Sequence, residues 1–118
     1  MGLSSTFFEL TPIPHIILDS KGSIHNLNAA AKQLLGTTTS LIGTPFMNLI
    51  DTLDQELYET WRQQSNTPLS SIVLRLNTHR GEDAYIQLQG LRTEDSTILA
   101  LSELSETISN LLKQNSST

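Results

Sequence analysis

Three histidines, His15, His25 and His79, are the side chains of this chain best suited to moving a proton or ligating a metal. No two of them stand at i, i+4, and none sits in a His/Glu cluster with ligand spacing, so the sequence offers no metal site. His15 reads as an exposed strand residue and His79 as a turn residue. His25 reads as a structural strand histidine or one that faces the interior. Ser, His and Asp are all present, yet no nucleophile elbow holds them, and there is no Walker loop or dinucleotide fingerprint. The chain has no cysteine, which removes disulfides, thiolate catalysis, zinc–thiolate sites and iron–sulfur clusters.

The 118 residues suit one domain. A domain of this size buries roughly two thirds of its unfolded surface, enough for a real core. The net charge is −5 and the seven Lys and Arg are scattered, which argues against nucleic acid as a partner. No apolar run approaches the roughly 18 residues of a membrane span and no signal peptide is visible, so the expectation is a cytoplasmic module without direct membrane contact.

The elements that must position any site begin at Ile13. Ile16-Ile17-Leu18 is a short apolar strand, followed at once by the turn Asp19-Ser20-Lys21-Gly22 and a second strand, Ser23 to Leu27. Asn28 stands at a helix N-cap, residues 29–35 are mostly good helix formers, and Gly36 ends the helix as a left-handed C′ residue would. Before this, residues 3–10 (LSSTFFEL) read as a short helical entry, capped by Ser4, Ser5 or Thr6, and Pro12 and Pro14 force extended chain.

Asp19, Gly22, Ile24, Asn28, Ala30, Leu34, Leu35 and Gly36, in that order, resemble the opening of a PAS domain. Leu41-Ile42-Gly43-Thr44-Pro45 is similar to the family segment that introduces a short helix beside the ligand cavity. Within it Thr44 can cap and Pro45 suits the first helical position, with Phe46, Leu49 and Ile50 as an apolar face. Thr52-Leu53-Asp54-Gln55 reads as a capping box for a helix running to about Gln64. Leu53, Leu57 and Trp61 would form its buried stripe, and Asp54, Glu56, Glu59 and Arg62 would face solvent.

Asn66-Thr67-Pro68 ends the helical half, and three strands follow. Ile72, Leu74 and Leu76 alternate with Ser71, Val73, Arg75 and Asn77, which makes one face apolar; Ile86 and Leu88 alternate with Tyr85, Gln87 and Gln89. The last strand, Thr97 to Ser102, is apolar on both faces through Ile98, Leu99, Ala100 and Leu101 and needs cover on both. Phe7 and Phe8, or a partner chain, would supply the outer cover. Beyond it Leu101, Leu104, Ile108 and Leu111 are spaced three, four, three, a short heptad seam. That seam reads as the start of a signalling coiled coil or as a helix folded back on its own domain.

The expected fold is therefore α+β and PAS-like: a five-stranded antiparallel sheet with short helices on one face, an N-terminal flanking segment over residues 1–11, the domain proper over 12–103, and an exit helix over 104–118. The strand order, and a cavity between sheet and helices, are implied by the resemblance. The expected cavity walls are Ile72, Leu74, Leu76, Ile86 and Leu88, with Ile16, Leu18, Leu99, Leu101 and Trp61, and with Asn26 and Asn48 as the polar anchors of a ligand. The resemblance makes Glu103 and Ser105 the signal-coupling pair, and makes a homodimer joined through Phe7, Phe8, Leu104, Ile108 and Leu111.

Two departures from the family stand out: Arg80 replaces a common Asp before the turn Gly, and Glu103-Leu104-Ser105 replaces Asp-Ile-Thr. A cysteinyl-flavin or coumaryl adduct is ruled out with no cysteine, and the expected long helix has no histidine for haem. Non-covalent flavin, a haem ligated otherwise, a small organic ligand and an empty core stay open. The expected function is a sensory module feeding the output domain of a histidine kinase in a two-component system, or of a diguanylate cyclase. The alternatives are a protein-interaction module with no ligand and a small α+β protein of polyketide-cyclase type.

Overall fold

The computed structural model describes residues 3–36, 40–63, 69–77, 83–104, 108 and 110–112. Its elements are helix α1 (Leu3–Leu10), strands β1 (His15–Asp19) and β2 (Ile24–Leu27), helix α2 (Ala29–Leu35), two 3₁₀ turns (Phe46–Leu49 and Thr52–Asp54), helix α3 (Gln55–Arg62), and strands β3 (Leu69–Asn77), β4 (Asp83–Arg92) and β5 (Ser96–Glu103). The five strands form one antiparallel sheet in the order β2-β1-β5-β4-β3, so the first and last strands of the chain lie side by side at its centre.

Local chemistry explains the start of this arrangement. The Asp19 carboxylate accepts from the Lys21 and Ser23 backbone N–H groups, both at 2.9 Å, which closes the β1–β2 turn. Asn28 caps α2 through the Ala31 N–H, and Gly36, at φ +67°, closes it in the left-handed region with its N–H on the Lys32 and Gln33 carbonyls.

The connection from β2 to β3 covers both edges of the sheet. Along β2, Ile24 donates to the Thr44 carbonyl and Gly43 donates back to Ile24, at 2.8 and 2.7 Å. Along β3, Asp51 donates to the Arg75 carbonyl at 2.9 Å and Ile50 bridges Leu76. An unpaired strand edge is an invitation to pair with another chain, and here the chain's own crossover occupies part of each edge.

The helical crossover departs from the sequence expectation in three ways. Helix α3 spans Gln55–Arg62 rather than starting at Leu53, because residues 52–54 tighten into a 3₁₀ turn. Asp51, not Thr52, supplies the cap, accepting from the Leu53 N–H, and the Gln55 amide donates instead to the Met47 and Ile50 carbonyls. Nor does Thr44 cap the first 3₁₀ turn: Pro45 occupies the N-cap position rather than the first helical one, and no side chain caps there. The shift in phase turns Leu53 and Leu57 outward (78% and 51% exposed) and turns Tyr58 and Trp61 inward. Helix α1 packs on α2, with the Phe8 ring 6.3 Å from that of His15, while Phe7 is 67% exposed. His79, Arg80 and Ser105 lie outside the described residues.

Candidate functional site

The inward-facing residues of β1, β5, β4 and β3 meet α2, α3 and the two 3₁₀ turns in one core. Ile16, Leu18, Leu74, Leu76, Ile86, Leu88, Leu99, Leu101 and Trp61 are all buried there, and Ile72 packs partly buried against it. Strand register brings them together: Ile16 pairs with Leu99, Leu88 with Leu101 and Leu74 with Ile86, each pair on the same face. The two expected polar anchors are not part of it. Asn26 is exposed on the edge strand, its side chain accepting from the Leu27 N–H, and Asn48 is exposed on its 3₁₀ turn. His25, two positions from Leu27 on β2, is also exposed and does not reach the interior.

An aromatic group fills the helix side of the core. The Tyr58 ring lies 5.5 Å from Phe46 and 6.0 Å from Trp61, both tilted, which is the favourable geometry for aromatic pairs. Trp61 donates its indole N–H to the Ser70 carbonyl. Its ring is accommodated by Gly90 on β4, where a Cβ would stand 3.0 Å from both Trp61 Cη2 and Leu69 Cδ1. Among the described residues, Tyr58 Oη is the one buried side-chain polar atom without a hydrogen-bond partner. Burial pushes its pKa well above the ordinary tyrosine range.

Asp54, Tyr58 and Trp61 stand at i, i+4 and i+7, and together they form the true inward line of this segment. Asp54 was expected in solvent. It instead clamps β3, accepting from the Arg75 backbone N–H at 2.9 Å and from the Arg75 guanidinium at 3.2 and 3.3 Å, with Asp51 3.7 Å away. That hydrogen bond holds the guanidinium proton more tightly than usual. Sequence reasoning missed the line because its first member is charged.

On the opposite face of the sheet, Ile17, Ile98 and Leu91 stand side by side across β1, β5 and β4. Ile17 and Ile98 are half-buried and Leu91 is 46% exposed. Of the other outward residues, Tyr85 is buried, Gln87 half-buried and Gln89 exposed. At the exit, Glu103 is exposed at the end of β5, and the half-buried Leu104 donates its N–H to the Tyr85 carbonyl at 3.0 Å. Ile108 and Leu111, both helical, are 46% and 56% exposed.

No protein-family model matches the sequence, and no curated protein sequence matches it either. Solved structures do match the fold. The PAS domain of an HTR-like protein from Haloarcula marismortui superposes with a TM-score of 0.71 at 18% identity, over 86% of this chain and 100% of that one. A PAS domain from a two-component sensor histidine kinase gives 0.68 at 15% identity, over 86% and 93%. The PAS domain of nitrogen regulation protein NR(II) from Vibrio parahaemolyticus gives 0.63 at 16% identity, over 88% and 100%. The strand order, the short crossover helices and these superpositions agree: this chain is folded as a PAS domain.

Proposed function

We propose that this chain is a cytoplasmic sensory and dimerisation module that passes a signal to a C-terminal output domain of the histidine-kinase kind. The observation that carries this reading is the fold, shared with PAS domains from a two-component sensor histidine kinase and from nitrogen regulation protein NR(II). The outward row Ile17–Ile98–Leu91 is the surface a second copy would cover, and the exposed Ile108 and Leu111 would extend that contact beyond the sheet. Leu104, bonded to β4 through Tyr85, ties the exit to the sheet, so a change in the core that shifts β4 against β5 would reach the exit through Glu103 and Ser105.

A guest in the core would have to be largely apolar, because the walls are aliphatic and aromatic and Tyr58 Oη is the buried polar group there left without a partner. That same apolar lining favours a second reading, an interaction module whose core holds no ligand. Native mass spectrometry of the freshly purified chain separates the two. A dimer carrying extra mass that denaturation removes supports sensing, and a dimer at bare chain mass supports the interaction module. An Ile98→Glu variant should be a folded monomer by the same measurement. A wild-type chain that is monomeric at bare mass removes the dimerisation part of the proposal.

A further inference from the structure

Helix α1 is held to the domain by little. Phe7 and Leu10 are exposed, Phe8 is half-buried against the His15 ring, and the helix rests on α2. Its eight residues are too few to stay helical alone in water. The segment therefore has two states, docked and helical or undocked and unfolded. With so small a contact, undocking lies well below global unfolding in free energy.

When docked, α1 fixes Ile13. Thr11 donates its N–H to the Phe7 carbonyl at 2.9 Å, and its Oγ1 accepts from the Ile13 N–H at 3.3 Å. The His15 ring, against which Phe8 packs, has its Nδ1 2.9 Å from the Ile13 carbonyl. A carbonyl only accepts, so Nδ1 carries the hydrogen. Asn28 Nδ2 donates to the same carbonyl at 2.8 Å, which fills its second lone pair. Thr11 and Asn28 are both buried, so little water is at hand to replace these bonds.

The next residue, Pro14, meets the exit strand. Its carbonyl accepts from the Leu101 N–H at 3.0 Å, one step beyond the His15–Ala100 pair of the β1–β5 ladder. Proline has no N–H to return, so this end rung is a single bond where two ordinary residues would exchange two. Leu101 stands three residues before Leu104, whose N–H is bonded to the Tyr85 carbonyl at 3.0 Å. The end of the sheet from which the chain leaves thus rests on a rung that the entry segment positions.

We infer that docking of α1 is coupled to the exit through this rung. When α1 undocks, Ile13 loses its Thr11 and His15 contacts, Pro14 shifts from Leu101, and the chain loosens at Leu104. The two-state element that carries the coupling is α1 itself. It is an input to the exit that does not pass through the core, and it operates whether or not the core holds a guest. By linkage, whatever tightens the exit also docks α1.

The test is amide hydrogen exchange of the full chain, read by NMR, in wild type and two variants. Phe8→Ala removes the ring that packs on His15, and Thr11→Val keeps the volume but removes the acceptor for Ile13. Each should speed exchange of the Leu101 and Leu104 amides about tenfold, equivalent to about 1.4 kcal/mol, relative to wild type. The Ile86 amide, in the β3–β4 ladder, should be unchanged. An equal rise at Ile86 would mean global destabilisation and would overturn the coupling. An unchanged Leu101, whether or not the α1 amides exchange faster, would show that α1 leaves without disturbing the rung and would overturn it as well. A faster Leu101 with Leu104 unchanged would stop the effect at the rung and overturn the input to the exit.

Discussion

Asn28 Oδ1 accepts from both the Ala31 and the His15 backbone N–H groups, at 2.9 and 3.0 Å, so one buried oxygen starts α2 and fixes the first residue of β1. The same side chain donates to the Ile13 carbonyl at 2.8 Å. Loss of an N-cap alone costs about 1 kcal/mol. Leaving part-buried backbone groups unpaired as well should bring Asn28→Ala to about 2–4 kcal/mol of lost stability. Asn28→Asp keeps the acceptor but loses the donor and should fall between the two. Urea unfolding of the three proteins checks the order; a loss below about 0.5 kcal/mol for Asn28→Ala would mean that water replaces the side chain at little cost.

The Asp54–Arg75 pair links the start of α3 to the edge strand β3, and its side chains are only about one-fifth exposed (19% and 22%). Exposed pairs contribute little, but a two-pronged, part-buried one with an added backbone bond should be worth more. A double-mutant cycle of Asp54→Ala and Arg75→Ala should give a coupling of about 1–2 kcal/mol, weakened by high salt. A coupling near zero would assign the link to the two backbone bonds that Arg75→Ala keeps, the Asp51 N–H to the residue 75 carbonyl and the residue 75 N–H to Asp54 Oδ2.

The fold was legible where local chemistry and burial agree. Asn28 and Gly36 mark both ends of α2 by residue type alone, and the alternation of Leu74, Leu76, Ile86 and Leu88 gives the inward face of β3 and β4. The pattern is not legible where a charged residue is part-buried by its partner. Asp54 looks like a solvent residue until Arg75, 21 positions on, is brought beside it, and the four-residue spacing of Leu53, Leu57 and Trp61 then misassigns the helix phase. Asn26 and Asn48 failed for a related reason. A strand residue's face depends on register, and the 3₁₀ turn around Asn48 does not follow helical periodicity.

Asp19 makes the β1–β2 turn sensitive to acid. The Ser23 N–H, the largest cause, together with the Lys21 and Gly22 N–H groups and the Lys21 charge, outweighs the opposing desolvation and holds its carboxyl below the ordinary value of 3.8. The folded state thus binds this proton more weakly than the unfolded state does. The stabilisation is fully present above 3.8 and is lost as the pH falls through the lower, folded value. Asp19→Ala should therefore be less stable than wild type at neutral pH, with the gap closing in strong acid. Thermal melts of both proteins across that range check it, and a gap independent of pH would place the effect in the turn backbone instead.

Tyr58→Phe tests the state of the core directly. The substitution keeps the ring beside Phe46 and Trp61 and removes only the hydroxyl. A buried hydroxyl without a partner lowers stability, because its bond to water is lost on folding and not replaced. Removing it from ligand-free protein should therefore raise stability by about 1 kcal/mol. In a domain of this size that is a rise in melting temperature of about 3–5 °C. A lower melting temperature would mean that the hydroxyl has a partner in solution, a buried water or a retained guest. Native mass spectra of wild type and Tyr58→Phe distinguish these: a retained guest adds mass that the variant loses, whereas a single water does not survive desolvation. In this way the stability of one substitution and the mass of two proteins decide whether the aromatic side of the core is closed or occupied.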